Sequence, residues 1–301
     1  MVETFLKYLQ YEKRYSPRTL VSYKTDLRQF EAFLEKEFDS KPHQANYGMV
    51  RGWIVSLSEQ KLDAPSINRK IACLRSFFKF LRKREEITND PMLKVKVLKV
   101  KKKLPHFVNE TELVPFLNGD VKGKSSEEDK RTIHDQKRDQ VILEVLYGTG
   151  MRLSELIGLR EKDINFNDRT VKVLGKRNKE RVIPFSRGIV LLLKEYREVR
   201  DREVERKDPE HFFVTQSGKK LYPVLVNRIV KNLLRGMNVE KKSPHVLRHT
   251  YATHLLNKGA EINAVKDLLG HTSLAATQVY THNTIEKLKE LFNKAHPKSG
   301  H

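Results

Sequence analysis

Tyr280, His245, Arg248, Arg152, Lys176 and His271 are the side chains of this chain whose types suit chemistry at a phosphate. A guanidinium presents a planar fork of donors, so two arginines can grip the non-bridging oxygens of one phosphate better than two ammonium groups can. That grip would neutralise a pentacoordinate transition state without a metal. A tyrosine hydroxyl can attack the phosphorus. With an ordinary pKa of about 10, it needs a base or a cationic site to help it ionise. A neighbouring histidine can take the proton, and a lysine can protonate the departing oxygen.

Spacing says which of these can meet. In SPHVLRHTYATHLL, His245 and Arg248 are about one helical turn apart and can point at one place. Pro244 suits the first position of a helix, whose N-terminus favours an anion. Arg152 follows the turn Gly148-Thr149-Gly150 and opens a short helix, LSELIGL, in which Glu155 can hold its guanidinium. Lys176 sits at the tip of a predicted hairpin, and His271 follows Gly270 after a helix ending at Leu268-Leu269. Tyr280 lies in GHTSLAATQVYTH. Taken locally it is a core aromatic, a base-stacking platform or a nucleophile, and only partners from elsewhere in the chain distinguish these.

Other chemistries lack support. His245 and His249 could share a helix face, but Arg248 beside them would repel a dication, and no HExxH pattern is present. The single cysteine, Cys73 in IACLRSFF, reads as core packing. It leaves no disulfide framework, zinc finger or deaminase site, and it fits a reducing compartment. GxxxxGK[ST] and GxSxG patterns are absent. The expectation is therefore a site with no metal and no cofactor.

The formal net charge of +21 implies a polyanionic partner. The charge is spread along the chain instead of forming one basic amphipathic anchor, which favours nucleic acid over a membrane surface. No apolar run approaches the roughly 20 residues of a membrane span. The opening MVETFLKYLQYEKR lacks the layout of a secretory leader, so a cytoplasmic location is expected.

The elements that must position these residues fall into two parts. Residues 1–93 read as helical. Ser16-Pro17 opens a helix with Leu20, Leu27, Phe30, Leu34 and Phe38 as its apolar stripe. A further helix surrounds Trp53 and Leu57, and another opens near Pro65-Ser66, carrying Ile67, Ile71, Leu74, Phe77, Phe78 and Leu81. Cations on its other face, including Arg69, Lys70 and Arg75, are candidate DNA contacts. Residues 94–105 hold six lysines between positions 94 and 103 and end at Pro105. A like-charged run should not pack into a core, so this is read as a linker, with Lys101, Lys102 and Lys103 free to lie along phosphates. Residues 106–301 are mixed. Asn109 and Glu112 suit a helix-capping pair, residues 118–135 read as a polar loop, and RTVKVL and RVIPFS flank a cationic hairpin tip. HFFVT may add a strand, and helical patterns dominate from about Pro223.

Taken in order, TGMRLSEL, GKRNKER, HVLRHTYATHLL, LLGH and TQVYTH resemble the tyrosine recombinase (phage integrase-type) family, over about residues 145 to 282. Within it the chain is most similar to the Xer site-specific recombinases, which resolve chromosome dimers. The resemblance implies a mainly α fold: a four-helix, SAM-like core-binding domain, then an α-rich catalytic domain with a small β-sheet. It implies that Arg152 and Arg248 clamp the scissile phosphate, with Glu155 supporting the first. His245 would be the acid/base partner, Lys176 the general acid, His271 a hydrogen-bond donor to the phosphate and Tyr280 the nucleophile. The implied partners are double-stranded DNA with paired half-sites, a homo- or hetero-tetramer on that DNA, a paralogous recombinase and a septal DNA translocase. The terminal segment IEKLKELFNKA would dock into an adjacent protomer. A mobile-element integrase would share the chemistry. A non-enzymatic helix-turn-helix regulator, suggested by INAVKDLLGHTSLAATQVYTH, is the reading from another class. His282 takes no role.

Overall fold

The computed structural model describes residues 1–100, 107–118, 131–175 and 180–270. The chain divides into two compact units, Met1–Lys103 and Leu104–His301.

The first unit holds helices α1 (Val2–Lys7), α2 (Pro17–Phe38), α3 (Tyr47–Glu59) and α4 (Ala64–Lys83), with a π-helical turn at Tyr8–Glu12. Side-chain caps start the three longer helices: Ser16, Asn46 and Asp63 each accept an amide hydrogen three residues on. On α2, Leu27, Phe30 and Leu34 are buried as the stripe predicts, whereas Phe38 is exposed and packs on Phe33. The aromatic core joins Phe30 to Trp53 at 5.0 Å and Phe5 to Phe77 at 5.4 Å between ring centroids. Cys73 is fully buried in it, and burial pushes its thiol well above the ordinary range. The thiol is packing, not a nucleophile.

Two features of this unit correct the sequence reading. Lys70 points inward: it is 5% exposed, and its ammonium bonds Asp26 Oδ1 at 2.9 Å and Gln29 Oε1. It is therefore not placed for a phosphate. Arg69 forks onto the same buried Asp26, and Arg75 donates to the Val95 carbonyl at 2.5 Å. The lysine-rich run is also partly docked. Asn68 exchanges two hydrogen bonds with the backbone of Leu98, at 2.8 and 2.9 Å, and Val95 is buried. Lys94, Lys96 and Lys99 face outward around these contacts, and so does Val97. The run docks at Val95 and Leu98 and leaves the lysine heads in solvent, which net charge alone does not reveal. Lys101, Lys102 and Lys103 lie outside the described residues.

In the second unit, α5 (Glu110–Asn118) and α6 (Ile133–Thr149) are followed by α7 (Leu153–Ile157) and an antiparallel sheet. The sheet comprises β1 (Ile164–Asn165), β2 (Thr170–Leu174) and β3 (Glu180–Pro184), and α8 (Arg187–Glu203), α9 (Pro223–Leu233), α10 (Pro244–Asn257) and α11 (Ile262–Leu269) complete the described elements. Nearly every residue of α6 from Val141 onward is buried, because α8, α9 and α10 all pack on it. Thr132 caps α6, so the helix begins inside the stretch expected to be loop. HFFVT makes isolated bridges, not a strand: its consecutive residues from His211 to Val214 are all buried, with no alternating face to present to a sheet. α5 begins directly after Asn109, whose carbonyl accepts from the Glu112 and Leu113 amides, and the Glu112 carboxylate accepts from the Asn238 amide at 3.0 Å, tying α5 to the turn before α10.

Candidate active site

Arg152, Glu155 and Arg248 come together at the end of α11. Gly150 ends α6 in the left-handed conformation, at φ 59°, which turns the chain sharply into α7. Arg152 then stands at the N-cap of α7. Its amide donates to Glu155 Oε2 at 2.7 Å and its Nη1 to Glu155 Oε1 at 2.9 Å, the i,i+3 arrangement expected from LSEL. Arg248 comes from the second turn of α10. It is 6% exposed, and its guanidinium bonds the Gly150 carbonyl at 2.5 Å and the Leu269 carbonyl.

Sequence reasoning missed a third guanidinium, Arg181. Strand register pairs Val173 with Arg181 and Val171 with Ile183, all on the buried face. Arg181 forks onto Glu155, Nη1 to Oε1 at 2.5 Å and Nη2 to Oε2 at 2.8 Å. The signal was available: Ile183 is apolar and two residues on, so Arg181 had to share its inward face and needed an anion there. Burial opposes the charge on Glu155, but the Arg181 fork and the Arg152 donors outweigh it and hold the carboxyl below the usual range.

The three arginines meet three consecutive carbonyls. Arg181 Nε reaches Leu268 O at 3.2 Å, Arg248 reaches Leu269 O, and Arg152 Nη2 reaches Gly270 O at 2.9 Å. These are the C-terminal carbonyls of α11, which lack helical partners and carry the negative end of its dipole. Gly270, at φ 63°, ends the helix and directly precedes His271. Arg152 and Arg248 each use two of the five guanidinium N–H groups in these bonds, so each keeps donors for a phosphate. Burial, then the like charges of Arg152 and Arg181, lowers the pKa of Arg248 to about 10. It is still a cation at neutral pH, and an arriving anion would relieve the repulsion.

His245 lies at the exposed start of α10, one turn before Arg248. His249 is half-buried, and burial followed by the neighbouring His245 lowers its pKa. Among the described residues no cluster of three or more His, Cys, Asp or Glu could hold a metal ion, and no helix is long and apolar enough to cross a membrane. Lys176, between β2 and β3, lies outside the described residues, as do His271, Tyr280, His282 and the terminal segment IEKLKELFNKA.

Gly150 cannot carry a side chain. A Cβ there would sit 2.4 Å from Tyr251 Cδ1 and 2.9 Å from Leu269 Cδ2, on a backbone already at positive φ. Gly150→Ala is expected to lower stability by about 2–4 kcal/mol, read as a lower denaturant midpoint at constant slope. An unchanged midpoint would mean that the packing of α6 on α10 relaxes freely around the added methyl.

Similar proteins share this arrangement of domains. A profile described as the phage integrase family matches residues 126–287, and one described as the phage integrase N-terminal SAM-like domain matches residues 2–85. The tyrosine recombinase XerC of Chlorobaculum parvum is 37% identical over 98% of this chain and 94% of its own. That of Oceanobacillus iheyensis is 39% identical over 99% of this chain and 96% of its own. In fold, the chain resembles the XerH site-specific recombinase bound to a palindromic difH substrate, with a TM-score of 0.71 at 23% identity, covering 96% of this chain and 83% of that one. It also resembles the Tn1549 transposon integrase in complex with transposon right-end DNA, with a TM-score of 0.69 at 20% identity, covering 96% and 98%.

Proposed function

Because the chain belongs to the phage integrase family of tyrosine recombinases, we propose that Tyr280 is its nucleophile and that Arg152 and Arg248 clamp the phosphate it attacks. The Tyr280 oxygen forms a bond to phosphorus as the bond from phosphorus to the 5′-oxygen breaks. His245 takes the tyrosine proton and Lys176 gives one to the departing 5′-oxygen. His271 donates to a non-bridging oxygen. The product is a 3′-phosphotyrosyl link and a free 5′-hydroxyl. A 5′-hydroxyl from a partner duplex then attacks that link, releases Tyr280 and completes strand exchange. One phosphodiester is exchanged for another at each step, so neither water nor ATP is consumed.

The observation that carries this reading is the convergence of Arg152 and Arg248 on adjacent carbonyls, Gly270 and Leu269, directly before His271. A regulator that only binds DNA has no need to bury a guanidinium behind a second one.

The biological role belongs to the same proposal. Likeness to XerC relatives over nearly the whole chain supports resolution of chromosome dimers in the cytoplasm. The enzyme would act as a tetramer on two sites, with a paralogous recombinase and a septal DNA translocase. Arg69, Arg75 and the lysines 101 to 103 would add phosphate contacts.

Selection of bound genomic fragments, followed by covalent capture on the enriched duplex in chelator and without ATP, tests both levels. A denaturing gel should show a protein–DNA adduct, and one enriched site near the replication terminus is expected. Enrichment of element ends would reassign the enzyme to a mobile element. Tight binding with no adduct on any enriched duplex would favour the regulator reading.

A further inference from the structure

We propose that Arg181 is a positioning residue for strand cleavage: it fixes the carboxylate of Glu155, and through it the guanidinium of Arg152, against the end of α11. The inference rests on the reading of Arg152 and Arg248 as the phosphate clamp. Arg181 ties three elements together with one planar group. It is anchored in β3, it forks onto both oxygens of Glu155 in α7, and its third donor reaches the Leu268 carbonyl of α11. Its shaft lies against Gly270, where a Cβ would stand 3.2 Å from Arg181 Cδ and Nη1.

Neutralising Glu155 does not require this geometry. Arg152 already supplies a cation and a backbone amide to the same carboxylate. Outside its own short helix, however, Arg152 is anchored by a single bond, Nη2 to the Gly270 carbonyl, and its side chain is 32% exposed, so the carboxylate it leans on decides how firmly its plane is set. The Glu155 side chain is 1% exposed and the Arg181 side chain 6%, so the second fork makes Glu155 a fixed post. Arg152 then meets a phosphate with its plane already set, and ordering it costs less when the substrate arrives. Arg181 also lies five residues after Lys176, on the strand that leaves the hairpin connection. The group that sets Arg152 therefore also fixes the strand leading away from the proposed general acid. Arg152 and Arg181 bond the one carboxylate, and their like charges bear on Arg248 beside it.

The test is Arg181→Lys, which keeps a cation but loses the fork and the reach to Leu268. Cleavage is measured at saturating DNA on the duplex mapped with wild-type protein, and again on the same duplex with a methylphosphonate at the scissile position. That analogue carries no phosphate charge for a clamp to hold. The variant should melt near wild type and bind DNA normally. It should cleave the natural phosphate at least about tenfold more slowly, and the methylphosphonate within about threefold of wild type. Cleavage at the wild-type rate, or an equal loss on both substrates, would overturn the proposal; the second result would mark Arg181 as a structural ion pair. If Arg181→Lys does not accumulate as folded protein, Glu155→Gln tests the link from its other end, with the same selective defect expected and the same two results overturning it. Absence of any wild-type adduct would instead defeat the clamp reading itself, which keeps the two failures apart.

Discussion

Tyr280→Phe is expected to abolish the covalent protein–DNA adduct while leaving duplex affinity within about twofold of wild type. The substitution removes one oxygen and no charge, so the phosphate contacts that dominate affinity are untouched. His245, Lys176 and the arginines can move protons and hold oxygens, but none of them replaces the attacking hydroxyl in this scheme. The position is argued from sequence. Tyr280 follows Gly270 by ten residues, Ser273 is a plausible helix start between them, and Leu274 and Val279 are suited to anchor that helix. The structure contributes the point from which the segment departs, with Arg152 and Arg248 bonded to the last two carbonyls before it. The measurement is a denaturing gel on labelled duplex beside a native binding assay. A persistent adduct in Tyr280→Phe would assign the attack to another hydroxyl, such as Thr277 or Thr281, and Tyr280 would revert to a packing aromatic.

The pairing of Arg152 with Glu155 was legible because both groups sit on one short helix, where three-residue spacing fixes proximity. Arg248 was legible as a candidate by the same rule, and the four-helix first unit by its caps and stripes. What spacing could not show was where the arginines meet. The carbonyls of Leu268, Leu269 and Gly270 are chemically ordinary, and only the tertiary path of α11 brings them under β3, α7 and α10. Gly270 hinted that a helix ends there, but not what its end receives.

Cations were misread where their sum stood in for their partners. Lys70 counted toward a basic face, yet Asp26 and Gln29 draw it inside. Val95 counted as part of a solvated strap, yet it is buried beside the Arg75 bond. In each case an acceptor distant in sequence decides the outcome, and net charge carries no information about acceptors. Arg181 is the converse: strand alternation placed it inward, and only the 26-residue separation from Glu155 kept its partner hidden, since the adjacent Glu180 is exposed on the other face.

Arg248→Ala is expected to slow strand cleavage by about 10³-fold while weakening DNA binding by no more than about tenfold. The asymmetry follows from its surroundings. Arg248 is 6% exposed, so it adds little to the field that gathers duplex from solution. It is buried behind Arg152 in a site where charges are poorly screened, and there a guanidinium acts most strongly on charge that develops in the transition state. Its pKa of about 10, lowered first by burial and then by Arg152 and Arg181, reflects a cation taken out of water and set beside two others. An incoming phosphate relieves their repulsion, and more so as its oxygens gain charge. Removing the side chain also strips donors from the Gly150 and Leu269 carbonyls, so some stability is lost, and cleavage must be read below the variant's melting range. Arg248→Lys separates charge from geometry. It keeps the cation without the fork, so its rate should fall between those of Ala and wild type. The dependence of binding on salt should lose about one phosphate contact in Arg248→Ala. An equal loss of cleavage and affinity would make Arg248 a binding residue, and the proposed clamp would then rest on Arg152 alone.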